Sequence, residues 1–206
     1  AAIQGAAELL DEDMPRPARA TFLANIREQC ARLSQIAERM LSLAQLEHQQ
    51  QLQAPERVDM AALIHATADS LAPRLAAAGL SLKLAPLPAA SVTGEAFLLR
   101  QALNNLLDNA IDFSPSGSEI VLTASIEGPT LRLSLRDHGP GIPDYASDRV
   151  FERFYSLPRP ASGKKSTGLG LPFVREVAAL HGGSIHLDNA SDGGAVATLT
   201  LPLADA

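Results

Sequence analysis

Several residue types on which particular functions depend are scarce in this chain. Tryptophan is absent, and aromatic residues make up only 4% of the 206 residues. Proteins that bind single-stranded nucleic acid stack bases on aromatic side chains, and a net charge of −6 provides no broad basic surface for a phosphate backbone. The composition therefore predicts no nucleic-acid partner.

Cysteine and long apolar runs are scarce as well. Cys30 is the single cysteine, which excludes an intrachain disulfide and a multi-cysteine zinc site and fits a reducing compartment. A membrane-spanning helix needs an apolar run of about 18 residues, and the sequence contains none. Residues 1–13 also lack the pattern of a signal peptide. We therefore expect this fragment to be cytoplasmic and to make no membrane contact.

Helix-breaking residues divide the chain into two expected domains. Apolar residues recur at three- and four-residue intervals over about residues 19–50 and predict a long helix, with a short helix before it at 1–10. The long helix has more apolar surface than the short one can cover, which favours pairing of two chains in a four-helix bundle. Pro55 marks a linker, so we expect a helical hairpin at 1–52 and a second domain at 57–206.

The second domain has the pattern of an α+β fold. Residues 118–137 alternate in polarity around a Gly-Pro turn and predict a hairpin, and another hairpin closes the chain. Helices are expected at 59–79, 95–113 and 171–182, with Gly79 as the C-cap of the first. The predicted architecture is a two-layer α/β sandwich, in which a mixed sheet has about three helices on one face.

The helix expected at 95–113 has a polar stripe along one side. Asn105, Asp108, Asn109 and Asp112 form this stripe, and leucines occupy the opposite side. Most polar stripes on surface helices are solvated faces, and that interpretation stays open from the helix alone.

Two glycine-bearing segments give the stripe a functional alternative. "DHGPGIP" begins at Asp137, and its glycines free the backbone for close approach. In "KKSTGLGLPF", Gly168 and Gly170 immediately precede a helix whose unpaired N–H groups favour an anion. Neither segment matches the GxGxxG dinucleotide fingerprint, and "SGKKST" does not match the P-loop. The alternative to a solvated face is therefore an anion site of another kind.

Four segments, "NNLLDNAIDFS", "DHGPGIP", "FERFY" and "TGLGLPFV", resemble in order and spacing the N, G1, F and G2 boxes of two-component sensor histidine kinases. The resemblance covers essentially the whole chain and is especially close to CreC-type sensor kinases. It implies a Bergerat-type ATP-binding fold of the GHKL class in the second domain, shared with gyrase, the Hsp90 chaperones and MutL. It also implies a truncated dimerisation and phosphotransfer hairpin before that domain, and binding of ATP with Mg²⁺.

The same resemblance assigns roles to individual residues. Asn109 is the principal Mg²⁺ ligand with support from Asn105, and Asp137 accepts a hydrogen bond from the adenine amine. Neutral amide oxygens suit Mg²⁺ beside a triphosphate, and a carboxylate acceptor opposes guanine. The other implied nucleotide-binding residues are Asp112, Phe113, Gly139, Gly141, Ile142, Arg153, Tyr155, Lys164, Lys165, Ser166, Thr167, Gly168, Leu169, Gly170 and Leu171.

Two positions depart from the family pattern. Asp112 stands where many members have Lys or Arg, which puts one phosphate contact in doubt. Ala195 stands where Thr is usual, so a water-mediated contact to adenine is missing. Both departures keep open a catalytically inactive nucleotide-binding module as the alternative function. Arg153 also has a surface alternative, in which it pairs with Glu152 or Asp148.

Asn105 also bears on the type of reaction. ATP-hydrolysing members of this fold have Glu there as a general base, whereas an amide cannot take a proton at neutral pH. Transfer to a nucleophile supplied from elsewhere is therefore favoured, and the family nucleophile is a histidine in a His-Glu-x-x-x-Pro-Leu motif. None of the five histidines fits that motif. We therefore assign no catalytic residue and expect the phosphoacceptor before residue 1.

The resemblance also implies partners and a location. It implies a homodimer that relays phosphate to a response regulator receiver domain. It further implies that the parent protein is anchored in the bacterial inner membrane, with this fragment on the cytoplasmic side.

Overall fold

The structure of the protein is a computed structural model that describes residues 16–160, 163 and 165–205. The chain divides into two compact units, with the boundary between Ala44 and Gln45. The short helix expected at 1–10 lies outside the described residues.

The long predicted helix is present as α1, at Arg16–His48. It begins a few residues earlier than the apolar periodicity indicates and ends close to the expected position. Part of its apolar surface is exposed, since Leu33 is 56% and Leu41 is 64% accessible to solvent. Within the described part of the chain, neither α1 nor any other helix combines the length and apolarity needed to cross a membrane.

The second unit consists of a sheet layer and a helix layer. The three predicted helices are present, and the strands include both expected hairpins. The elements are β1 at Glu56–Asp59, α2 at Met60–Ala78, β2 at Ser81–Leu84, β3 at Ser91–Gly94, α3 at Ala96–Phe113, β4 at Glu119–Glu127, β5 at Thr130–Arg136, a 3₁₀ turn at Asp144–Ala146, α4 at Gly170–Leu180, β6 at Ser184–Asn189 and β7 at Ala195–Pro202.

The main sheet is mixed, as the sequence predicts. Its strand order is β2-β4-β5-β7-β6, with β2 parallel to β4 and the other neighbours antiparallel. Along the central strand β5, Leu131, Leu133 and Leu135 are buried, whereas Arg132 between them is exposed. This alternation places the core on one face of the sheet and confirms the two-layer α/β sandwich.

The strand β1 is a correction to the sequence prediction, which has a linker break at Pro55 followed directly by a helix. β1 pairs antiparallel with β3 in a separate two-stranded sheet, where Val58 lies opposite Val92. Only Val58 of its four residues is buried, so the segment is too short and too polar to show an alternating pattern. It is extended because β3 provides partners for its backbone groups.

Both ends of α2 are capped by local interactions. The Asp59 side chain accepts a hydrogen bond from the N–H of Ala62 at 3.1 Å, which satisfies one of the unpaired donors of the first turn. Gly79 has φ +68° and donates its N–H to carbonyls of the last turn. The left-handed conformation at Gly79 confirms the predicted C-cap.

A buried histidine connects α4 to the start of α3. His181 is 5% exposed; its Nδ1 lies 2.7 Å from the Val177 carbonyl oxygen, and its Nε2 accepts the N–H of Glu95 at 3.1 Å. Residue 94 is glycine because a Cβ there would lie 2.4 Å from a ring carbon of His181. Burial lowers the pKa of His181. The ring is therefore neutral, with its proton on Nδ1.

Acidification should lower the free energy of unfolding because His181 is neutral in the folded chain. Because its folded pKa lies below the unfolded value of about 6.5, the unfolded chain binds more protons, so stability is complete above about pH 6.5 and decreases as the pH falls. We expect the free energy of unfolding to decrease by up to about 1.4 kcal/mol per pH unit below about pH 6.5. Urea unfolding followed by circular dichroism at pH values from about 7.5 to 5.5 measures this slope. A His181→Gln variant should have a flatter profile, and equal slopes in both proteins would contradict the assignment.

Candidate functional site

A cleft lies between α3, the end of β5 with the adjacent start of β7, and the start of α4. It is open to solvent and contains about 860 Å³ of empty space, part of which is open solvent. Most of the lining is apolar. The lining residues are Leu106, Asn109, Ala110, Phe113, Leu135, Asp137, Pro140, Gly141, Ile142, Val150, Tyr155, Ser156, Leu157, Ser166, Gly168, Gly170, Leu171, Pro172, Leu187, Ala195 and Ala197.

The carboxylate of Asp137 is oriented by two backbone groups. Asp137 follows β5, and its Oδ1 accepts the N–H of Gly139 at 2.8 Å and the N–H of Ala195 at 3.0 Å. Among the described residues, no hydrogen bond involves its Oδ2. One oxygen therefore fixes the side chain, and the other can accept a hydrogen bond from a ligand.

The loop after Asp137 is held in place by Asn189, which no sequence motif identifies. The side chain of Asn189 accepts the N–H of Ile142 at 2.6 Å and donates to the carbonyl of Ile142 at 2.8 Å. Gly141 has φ +75°, and a Cβ on it would lie 2.7 Å from the Asn189 side-chain oxygen. No sequence signal links the two, because an Asn at a strand end before a turn is common without any such role.

The polar stripe of α3 divides into two pairs. Asn109 lines the cleft, and the Asn105 side-chain oxygen lies 3.4 Å from the position of a Cβ on Gly170, at the start of α4. Asp108 and Asp112 instead form salt bridges with Arg74 of α2. The stripe is therefore not a uniformly solvated face, since its two amides face the cleft and α4 while its two acids bind an arginine.

The start of α4 contributes backbone N–H groups to the cleft. Gly168 has φ +66°, and a Cβ on it would lie 2.6 Å from backbone atoms of Phe154 and Tyr155. The N–H of Phe154 also donates to the Gly168 carbonyl at 3.0 Å. Leu169 is 2% exposed and is not a lining residue, so its side chain belongs to the core. Pro172 in the first turn has no N–H, and Phe173 donates its N–H to the Leu169 carbonyl at 3.1 Å. The N–H groups of Gly170 and Leu171 are therefore the ones that have no partner within the helix and favour an anion.

The structure brings together four apolar or aromatic residues of the implied nucleotide-binding set. Phe113, Ile142, Tyr155 and Leu171 all line the cleft. Several further apolar lining residues, such as Leu135 of β5, escape prediction because their pattern is that of ordinary core positions. The cleft is therefore an apolar slot with a carboxylate and an amide at its edges.

The basic residues of the implied nucleotide-binding set are not among the described residues that line the cleft. Arg153 forms a salt bridge with Glu47, near the end of α1, and is not part of the cleft lining. Lys165 forms an isolated β-bridge with Pro158, and its side chain does not line the cleft. Lys164 lies outside the described residues.

Other predicted residues of the segment after β5 have mainly backbone roles. Ser166 lines the cleft, and its hydroxyl lies 2.8 Å from that of Ser156, which the sequence analysis does not single out. Thr167 lies next to Gly168 and is not a lining residue. Gly139 acts by donating its N–H to Asp137.

The surface alternative for Arg153 is a correction as well. Glu152 is bound by Arg149 at 3.1 Å, so the acid nearest to Arg153 in sequence already has a cation. Arg149 also lies over the Tyr155 ring, 4.4 Å from its centroid. Arg153 therefore pairs with an acid distant in sequence rather than with Glu152 or Asp148.

Comparison with known proteins finds one family over most of the second unit, and it is the family that the four sequence segments resemble. The model of the family "Histidine kinase-, DNA gyrase B-, and HSP90-like ATPase" matches residues 94–205. The sensor protein CreC of Escherichia coli (strain K12) is 46% identical over 98% of this chain and 42% of its own length. A probable sensor histidine kinase HK of Mycobacterium tuberculosis (strain CDC 1551 / Oshkosh) is 34% identical over 91% of this chain and 48% of its own length.

Solved structures agree with the sequence comparison. Full-length ShkA in complex with AMPPNP superposes with a TM-score of 0.76 at 28% identity, covering 100% of this chain and 43% of that one. The mycobacterial sensor histidine kinase MprB superposes with a TM-score of 0.64 at 28% identity, covering 74% of this chain and 100% of that one. The chain spans less than half the length of the curated relatives described above.

Proposed function

The chain belongs to the histidine kinase-, DNA gyrase B- and HSP90-like ATPase family, and we propose that it is the Mg-ATP-binding kinase core of a two-component sensor histidine kinase. The observation that supports this most directly is the composition of one cleft. An oriented carboxylate at Asp137, an amide at Asn109 and the N-terminus of α4 surround the same apolar slot. These groups match the adenine, the bound metal ion and the phosphates of one Mg-nucleotide complex.

Adenine recognition is proposed at the end of the cleft that contains Asp137. The free Oδ2 of Asp137 accepts a hydrogen bond from the exocyclic amine of adenine, while the apolar walls cover the faces of the base. Guanine has a carbonyl oxygen at the equivalent position, so two acceptors would face each other. The Gly139 and Ala195 N–H groups keep the carboxylate in place before the nucleotide arrives.

Phosphate and metal binding is proposed at the other end. The residues fit Mg²⁺, because Asn109, whose side chain carries a neutral amide oxygen, lines the cleft and Asn105 lies beside the start of α4. When bound, Mg²⁺ neutralises charge on the phosphates and orients the transferred group. The first-turn N–H groups after Gly168 would bind phosphate oxygens, with Ser166 nearby.

Transfer to a histidine, rather than to water, is proposed because position 105 of α3 has no general base. Asn105 occupies the position at which a Glu would activate water, and an amide cannot do so. The acceptor histidine is proposed to precede residue 1, with onward relay to an aspartate of a response regulator receiver domain.

A homodimer is proposed from the surface of α1. Leu33 and Leu41 are large apolar side chains that remain exposed in the single chain. Two chains that pair these surfaces form the four-helix bundle that the sequence predicts. The parent protein is proposed to be anchored in the bacterial inner membrane, with this core on the cytoplasmic side.

A catalytically inactive binding module is the second candidate. The observation in its favour is Asp112, since the structure places an acid bound by Arg74 and Arg159 where the family pattern has a phosphate-binding cation. The two candidates differ in phosphate transfer and not in nucleotide binding.

Phosphate transfer should therefore require the segment that precedes residue 1. Incubated with γ-labelled ATP, the present chain should bind nucleotide but acquire no stable phosphate, because the nucleophile is missing and Asn105 cannot activate water. A chain extended upstream by its natural sequence should become labelled, and the label should be acid-labile and alkali-stable, as phosphohistidine is. Label on the present chain would refute the proposed position of the acceptor. An extended chain that contains the His-Glu motif, binds ATP and stays unlabelled would favour the inactive module.

A further inference from the structure

We propose that Arg159 is a phosphate-binding cation of this cleft and that Asp112 is the residue that positions it. The inference rests on the proposed function, since it adds a ligand contact to the same nucleotide site. It assigns a role to the acid at position 112, which otherwise only weakens the electrostatics of a triphosphate site.

Asp112 is fully engaged by two arginines. Its Oδ1 lies 3.0 Å from Nη2 of Arg74, on α2, and its Oδ2 lies 2.5 Å from Nη2 of Arg159. The Asp112 side chain is only 15% exposed. Arg74 also binds Asp108, so acids and arginines alternate along a row of four residues. The charge of Asp112 is therefore balanced, and its geometry is fixed from both sides.

Arg159 retains hydrogen-bonding capacity that the protein does not use. Its side chain is 34% exposed, and its Nε is buried without a hydrogen-bond partner among the described residues. A guanidinium has five N–H donors arranged as a fork that matches phosphate oxygens. One edge of Arg159 is bound to Asp112, and the partly exposed guanidinium has further N–H donors for a ligand.

The position of Arg159 places it beside the phosphate end of the cleft. Ser156 and Ser166 line the cleft and hydrogen-bond to each other, and the next pair outward, Pro158 with Lys165, forms an isolated β-bridge. Arg159 directly follows that bridge. Its partner Asp112 lies three residues after Asn109, one helical turn along the same side of α3. Arg159 does not itself line the cleft, and its salt bridge with Asp112 places it over the turn of α3 that follows the proposed Mg²⁺ ligand.

This arrangement explains an acid at position 112 in a site for anions. A cation on α3 at this point would repel both Arg74 and Arg159. With Asp112 in place, the positive charge comes from the facing segment, and the acid holds it at a fixed distance from α3. Asp112 is a positioning residue in this proposal, and Arg159 makes the ligand contact.

The test uses a substitution at position 112 for which Coulomb's law alone and the proposal predict opposite changes in the affinity for Mg-ATP. Asp112→Asn keeps the shape of the side chain but removes a negative charge, which by Coulomb's law alone should tighten binding of a polyanion. If Asp112 positions Arg159, the same change should instead weaken Mg-ATP binding, by about 5- to 20-fold, because the ordered charge-assisted pair is lost. Isothermal titration calorimetry with Mg-ATP and with adenosine measures both affinities. Adenosine binding should be unchanged, since it has no phosphate.

Substitutions at Arg159 complete the design. Arg159→Ala should weaken Mg-ATP binding by about 10- to 50-fold, and Arg159→Lys should recover part of the loss because it keeps the charge but not the fork. In the Arg159→Ala background, Asp112→Asn should no longer weaken binding, since the residue it positions is absent. Arg132→Ala is the matched control, because Arg132 pairs with Glu127 on the β4–β5 hairpin and does not line the cleft.

Several outcomes would overturn the proposal. Tighter or unchanged Mg-ATP binding by Asp112→Asn would show that the acid does not position a ligand contact. If Arg159→Ala and Arg159→Lys each lose as much affinity for adenosine as for Mg-ATP, the role of Arg159 is structural only. If the unmodified chain binds Mg-ATP while every variant equals it, only the role of Arg159 fails. If the unmodified chain binds neither ligand, the proposed function fails together with this inference.

Discussion

Asn109→Ala should abolish Mg²⁺-dependent binding of ATP. Asn109 is the only amide side chain that lines the cleft among the described residues, and its oxygen is the proposed principal metal ligand. Removal of groups that merely orient metal ligands costs about 10- to 100-fold in affinity, so loss of the ligand itself should cost more than about 100-fold. Titration of a fluorescent ATP analogue, with Mg²⁺ and with EDTA, measures the difference between the two conditions.

Gln101→Ala is the matched control for Asn109. It removes an amide from the same helix at a position that does not line the cleft, and it should leave Mg²⁺-dependent binding intact. Both variants should keep the circular dichroism spectrum and melting temperature of the unmodified chain, because neither side chain belongs to the buried core. Equal behaviour of the two variants would restore the interpretation of the α3 stripe as a solvated face.

Asp137 should determine whether the chain prefers adenine or guanine nucleotides. The unmodified chain should bind ATP in preference to GTP, because the Asp137 carboxylate accepts from the adenine amine and opposes the carbonyl oxygen of guanine. Asp137→Asn places an N–H donor opposite the adenine donor and loses a hydrogen bond to a charged group. We expect ATP affinity to fall by about 2–3 kcal/mol, roughly 30- to 150-fold. Displacement of the fluorescent ATP analogue by each nucleotide gives both affinities.

Asp144→Asn provides the comparison for Asp137. Asp144 is an exposed acid in the 3₁₀ turn after the same loop, so its substitution changes the net charge equally without touching the cleft. It should leave the ATP-to-GTP ratio unchanged. Equal displacement by ATP and GTP in the unmodified chain would remove the assigned role of Asp137.

The amphipathic helices of the second unit could be predicted because their signals are local. In α3, apolar residues repeat with the helical period, and the observed helix at Ala96–Phe113 agrees with the predicted bounds. Gly79 could be assigned as a C-cap because the preference for a left-handed residue depends on the chain immediately around it. The sheet hairpins followed from alternation and a Gly-Pro turn within a single segment. In each case the residues that interact are close in sequence.

Parts of the cleft could also be anticipated, but only from the four box motifs together. The stripe on α3 by itself left its interpretation open between a solvated face and a site. The structure divides the stripe, with Asn109 in the cleft and Asp112 in a salt bridge with Arg159. A helical period shows which residues share a side, but it does not show what faces that side.

The sequence by itself determined the two-layer sandwich, the bounds of α3 and the residue types available for a nucleotide. The tertiary structure alone decided which groups meet: β1 with β3, Asn189 with Ile142 across 47 positions, and the partners of Arg153 and Asp112. Periodicity and capping depend on neighbours within a few residues, so they can be recognised from a short segment of the sequence. A salt bridge or a side-chain hydrogen bond between distant segments depends on how several elements pack. Its geometry therefore exists only once the sheet and helices are assembled.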